Sequence, residues 1–196
     1  MKFVFGDITA TPVQQPPPDS SVHAIDVQSS DTDDCVAEVL LQPDQLRPIL
    51  RGHNKHFYTR GAFDLIQLVL FILKQVGPSD VVISSYSIAE QTLKTIKRMC
   101  DKGEIRSIRF LIDNRVRSIS PKPFNVLVTS FPDCYRCLAL HAKVALISND
   151  DWKITVVGSQ NATHNPKLER GIIHTDPKIF DFDKMILDDE FNSGTT

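Results

Sequence analysis

Residues 62–112 constrain the fold more than any other part of the chain. Ala62 to about Gln75 is a strongly apolar helical stretch, stopped by Gly77-Pro78. Asp80-Val81-Val82-Ile83-Ser84-Ser85 is β-branched and reads as a strand. Ser87-Ile88-Ala89-Glu90 has the form of a capping box, in which hydroxyl and carboxylate each satisfy a free amide, so a helix is predicted from there to about Asp101, with Gly103 as its stop. Ile105 to Ile112 is the next strand. Helices that alternate with strands in this way favour an α/β arrangement.

The rest of the chain fits that frame. A short helix is predicted over Asp44–Leu50, and Asn125–Ser130 reads as a strand set off by Pro121, Pro123 and Pro132. Leu138 to Ser148 is predicted as one strand, Asn149-Asp150-Asp151 as a turn, and Lys153–Val157 as the returning strand. Gly171–Thr175 is a further strand. Asp176-Pro177 then opens a C-terminal helix, with Asp as its cap and Pro in its first turn. The helical spacing of Phe180, Met185, Ile186 and Leu187 suits packing on the domain. The expected fold class is α/β, a mixed β-sheet flanked by helices. Residues 1–34, with Pro16-Pro17-Pro18 and Ser29-Ser30-Asp31-Thr32-Asp33-Asp34, read as an irregular N-terminal extension, and 35–192 as the folded domain.

Composition narrows the setting. The longest apolar run, Leu65–Leu73, is too short to span a bilayer, and the start has no cationic head followed by a long apolar region. A cytoplasmic protein without membrane association is expected. The four cysteines do not form a disulfide framework at this chain length and are read as reduced. Cys134-x-x-Cys137 lacks further ligands at matching spacing, so no metal site is expected. The net charge of −2 hides an asymmetry: residues 1–50 hold 2 basic and 8 acidic side chains, 51–122 hold 13 and 6, and 123–196 hold 7 and 10. The basic middle third suits a polyanionic partner. Lys94, Lys97, Arg98 and Lys102 read equally well as a solvated helix face.

The chemistry concentrates in the last third. His141 and Lys143 are two apart, so on a strand they point to one side. Gly158-Ser159-Gln160-Asn161 follows at a strand end, and Glu169 lies beyond it. A histidine nucleophile, a fixed cation, a hydroxyl and an amide brought together are suited to attack on a phosphodiester. His53-Asn54-Lys55 also matches His-x-Lys, but no Gly-Ser-x-Asn follows it; it reads as chance, with His53 and His56 left as possible cleft residues.

His141-x-Lys143, Gly158-Ser159-x-Asn161 and Glu169 together resemble the phospholipase D superfamily, known for its HKD motif. The resemblance implies that His141 attacks phosphorus to give a phosphohistidine. Lys143, Asn161 and Ser159 would hold the non-bridging oxygens beside Gly158, Glu169 would orient the His141 ring, and a second histidine would protonate the leaving oxygen. With one complete motif per chain, the second histidine would come from a homodimer partner. Lysines and neutral donors do the charge work, so no metal or cofactor is called for. The motif's acidic position is Ser148 here, with Asp150 and Asp151 just beyond. The reading is a metal-independent nuclease acting on nucleic acid, DNA first. A lipid phosphodiesterase, or a catalytically silent nucleic-acid-binding or dimerisation module, are the alternatives.

Overall fold

Helix α1 (Leu65–Val76) is where the local chemistry is easiest to follow. Asp64 adopts an extended backbone and its carboxylate accepts from the amides of Ile66 and Gln67, while the Gln67 side chain accepts from Asp64 N–H. Gly77, at φ +82°, ends the helix in a conformation that an L side chain rarely adopts. The capping box of this chain is thus at Asp64–Gln67 and not at Ser87–Glu90. Residues 87–89 run extended instead: Ser87 Oγ pairs with Thr163 Oγ1, Ile88 bridges to Ala162, and helix α2 (Glu90–Asp101) starts without a side-chain cap.

The computed structural model describes residues 36–40, 46 and 48–194; the predicted N-terminal extension lies outside the described residues. Among the described residues, eight strands form one mixed sheet in the order β1-β2-β8-β7-β6-β3-β4-β5. They are β1 (Val36–Leu40), β2 (Lys55–Arg60), β3 (Ser79–Ser85), β4 (Ile105–Asp113), β5 (Tyr135–Leu138), β6 (Val144–Ser148), β7 (Lys153–Gly158) and β8 (Leu168–His174). Strands β3, β4 and β5 are parallel neighbours, and β6, β7, β8 and β2 continue antiparallel from β3. The mixed α/β sheet expected from the sequence is therefore present.

Each face of the sheet has its own core. Leu65, Leu68 and Ile72 of α1 and Leu93 and Ile96 of α2 bury against Phe57, Ile83, Phe110, Ile147 and Ile173. On the other face, Phe180, Leu187 and Phe191 of α5 (Pro177–Ser193) cover Val82, Leu111, Val144 and Leu146. Asp176 caps α5 through Lys178 N–H, as its sequence suggested. Gly171 is required by close approach: a β-carbon there would enter the ring of Phe57, which is 1 % exposed. The turn between β6 and β7 is held by Asn149, whose side-chain Oδ1 accepts from the amides of Asp151 and Trp152. Arg51 lies 4.8 Å over the Trp152 ring there.

Several expectations need correction. Asn125–Ser130 is helical, part of α4 (Pro121–Ser130), with proline in its first turn; the missing N–H costs nothing at that position. A one-turn α3 (Val116–Ile119) precedes it. Leu138–Ser148 is not one strand: β5 and β6 are separated by residues 139–143, which hold the His141-x-Lys143 pair. Residues 46 and 48–50 are not helical, and the other three positions of the predicted 44–50 helix lie outside the described residues. Lys55 begins β2, an element that the sequence reading omitted. Among the described residues no helix is long and apolar enough to cross a membrane.

Candidate active site

Strand direction gathers the site. The C-terminal ends of β3, β4 and β5 reach one edge of the sheet; the antiparallel pairings bring the start of β6, the end of β7, the start of β8 and the end of β2 to the same edge. In open α/β sheets the carboxyl ends of parallel strands are where ligands bind. This edge carries Tyr86 after β3, Asp113 at the end of β4, His141 and Lys143 before β6, Ser159 after β7 and Glu169 on β8. A cleft of about 370 Å³ opens beside His141, lined by Asp113, Asn114, Arg115, Ala139, Leu140 and His141.

His141 is exposed, whereas Lys143 is only 8 % exposed. Lys143 Nζ donates to the His141 carbonyl at 2.6 Å and lies 3.3 Å from His141 Nδ1. A charged ammonium has only donors, so this contact makes Nδ1 the acceptor and puts the ring proton on Nε2. Burial pushes the Lys143 ammonium below its ordinary range, opposed by the carboxylates of Glu169 and Asp113. The Tyr86 ring sits 5.3 Å from the His141 ring, tilted by 57°.

The Gly-Ser-x-Asn loop is tied to this pair. Gly158 N–H donates to the Lys143 carbonyl at 3.2 Å, and Ser159 exchanges backbone and hydroxyl bonds with Arg170. A β-carbon at Gly158 would run into the Gln160 side-chain amide. Ser159 Oγ donates to Glu169 Oε2, and Asn165 Nδ2 donates to Glu169 Oε1 at 2.6 Å. Glu169 is thus held by Ser159 and Asn165, not by the His141 ring as the resemblance implied. The Asn161 side-chain Oδ1 is buried without a partner among the described residues, as are both polar atoms of the Gln160 side-chain amide. Orphaned buried groups of this kind are rare and call for a ligand, a water or a function.

The structure also relocates two sequence features. Ser148 pairs with Asp80 and Lys153, at the opposite edge of the sheet from Lys143. Five strand residues separate them by about 17 Å. An acid at 148 could not reach the site. The pair His53 and Lys55 sits at the start of β2, also at the far edge, and His56 contacts Arg170 from the second position of that strand. None of the three lines the cleft.

The buried carboxylate beside Lys143 is Asp113, which the sequence reading missed. It is 3 % exposed. It accepts from Arg115 Nε at 2.8 Å, from Arg115 N–H at 3.0 Å and from Leu140 N–H at 3.2 Å, so it fixes the segment that carries His141. Hydrogen bonding from the Arg115 guanidinium, against the cost of burial, holds its pKa at about 2 rather than 3.8. The folded-state value is depressed, so its contribution is complete above about pH 4 and is lost as pH falls through 2. We expect a stability loss on the order of 1 kcal/mol between pH 5 and pH 2, discounted because Arg115 is exposed. Urea midpoints at the two pH values should show a smaller difference for Asp113→Asn; an equal difference would remove Asp113 from the account.

No family model and no curated protein sequence matches the chain. Solved structures do. NucT from Helicobacter pylori superposes with a TM-score of 0.52 at 17% identity, over 72% of this chain and 98% of NucT. The polyphosphate kinase from Porphyromonas gingivalis superposes with a TM-score of 0.53 at 12% identity, over 73% of this chain and 26% of the kinase. Both are phospholipase D-superfamily folds. With the mixed sheet, the strand-end site and these neighbours taken together, the chain has the phospholipase D-superfamily fold.

Proposed function

We propose that the chain is a phosphodiesterase of the phospholipase D type that cleaves nucleic acid without a metal ion, as a twofold dimer. The observation that carries this reading is the convergence of His141 and Lys143 with Ser159 and Glu169 at one sheet edge, beside an open cleft. NucT, a nuclease of the superfamily, supports the substrate class, and this chain spans nearly all of its length. The kinase neighbour shows that the fold serves other phosphate chemistry too.

In the proposed reaction, a non-bridging phosphate oxygen draws Lys143 Nζ away from His141 Nδ1. The ring can then carry its proton on Nδ1 and attack through Nε2. The N–P bond forms as the bond to the leaving oxygen breaks, and His141 of the second protomer supplies that oxygen's proton. Water then attacks the phosphohistidine, returns a proton to the second histidine and breaks the N–P bond. Lys143 and the Asn161 amide N–H bind the oxygens on which charge develops. Ser159 and Asn165 keep Glu169 in place beside them.

The test is incubation of the purified protein with plasmid and single-stranded DNA in EDTA, alongside sedimentation. Cleavage that persists in EDTA, in a species of twice the monomer mass, is expected. Activity abolished by EDTA, or carried by a strict monomer, would overturn the respective part. Salt-sensitive binding without cleavage would identify the silent binding module instead.

A further inference from the structure

Among the described residues, Arg115 is the basic side chain other than His141 that lines the cleft beside His141. Three contacts fix it. Its Nε and Nη2 fork onto the Asp113 carboxylate at 2.8 and 3.3 Å, and its guanidinium lies 4.6 Å over the Tyr86 ring. Tyr86 is also the ring against which His141 packs, at 5.3 Å, and over which Lys143 Nζ sits at 5.7 Å. One phenol ring thus spaces all three groups. The Arg115 guanidinium and the His141 ring lie no more than about 10 Å apart, given their separations of 4.6 and 5.3 Å from that ring.

The fork to Asp113 uses two of the five guanidinium N–H donors, and none of the other three has a partner among the described residues. The Arg115 side chain is 61 % exposed, so these donors are open to solvent. A planar guanidinium with free donors and a fixed orientation is suited to phosphate, and pre-fixing removes much of the ordering cost of binding. Burial of Asp113 gives the arrangement its rigidity: the carboxylate is anchored at the end of β4 and also holds Leu140 N–H.

We propose that Arg115 is the second phosphate-binding cation of the site: it holds the phosphate adjacent in the strand to the one attacked at His141, and so selects substrates with phosphates in series over isolated phosphodiesters. This rests on the phosphodiesterase reading and assigns to Arg115 the preference for polynucleotides over small diesters. The spacing to His141 is one that neighbouring phosphates of a single strand can bridge. A substrate with one phosphodiester leaves Arg115 unused.

The experiment compares wild type, Arg115→Gln and Arg115→Lys on a single-stranded oligonucleotide and on bis(p-nitrophenyl) phosphate, together with the salt dependence of oligonucleotide binding. Arg115→Gln should lower kcat/KM for the oligonucleotide about tenfold or more, mainly through KM, and several-fold less for the small diester. The slope of log K against log salt should fall by about 0.7, the value for one phosphate contact on a single strand. Arg115→Lys should restore the slope and part of the KM. Equal losses on both substrates with an unchanged slope would overturn the proposal and leave Arg115 as a support for Asp113. If the wild type cleaves neither substrate, the phosphodiesterase reading fails, and the slope still decides whether Arg115 holds a phosphate.

Discussion

His141→Ala should lower cleavage of single-stranded DNA in EDTA on the order of a thousandfold or more. In a symmetric dimer one substitution removes the nucleophile from one protomer and the proton donor from the other, and groups acting as a unit fail together. His141 is exposed, so the variant should fold with little change in stability. On the proposed reaction Lys143→Ala should also cost activity, on the order of a hundredfold, because a buried cation that would hold the developing charge is lost. Initial rates at matched folded protein would measure both. A His141→Ala protein that keeps more than a tenth of the rate would place the nucleophile elsewhere.

The largest expected effect on stability is at Phe57. The ring is 1 % exposed, packs 5.4 Å from Phe63 and fills the space that Gly171 leaves open on the neighbouring strand. Phe57→Ala removes the ring and leaves a cavity between β2, β8 and α1, at a cost of about 3–5 kcal/mol. For a domain with a total of about 5–15 kcal/mol, that is a large share. Urea unfolding would measure it. A shift below about 1 kcal/mol would mean that the α1 face of the sheet repacks without the ring.

The legible parts of this fold had local signals. The helix α1 was bounded by Gly77-Pro78, the strand β3 was β-branched, and Asp176-Pro177 marked the start of α5. The strand predicted at Asn125–Ser130 failed because the β-branched Val126, Val128 and Thr129 favour strands in isolation. Pro121 and Pro123 were read as breakers rather than as first-turn residues. The strand β2 was missed because its first residue was taken into a chance His-x-Lys match.

The site divided along the same line. His141, Lys143, Ser159 and Glu169 were legible because they fall close together in the last third of the chain. Asp113, Arg115 and Tyr86 were not, because only the parallel pairing of β3, β4 and β5 brings them to His141. Their one sequence signal was position: each falls at or just after the C-terminal end of a predicted strand that belongs to a parallel crossover. The bond expected between Glu169 and His141 could not have been checked from the sequence, since Asn165 competes for that carboxylate only once the loop is folded.

The single tryptophan, Trp152, sits in the turn between β6 and β7 at the edge remote from His141, while Tyr86 touches His141, Lys143 and Arg115. Trp152 and Tyr86, one of three tyrosines, therefore lie on opposite rims. Emission excited selectively from the indole would follow unfolding of the distal turn and stay silent when the cleft fills, so ligand titrations on this chain call for a probe in the oligonucleotide rather than intrinsic tryptophan light.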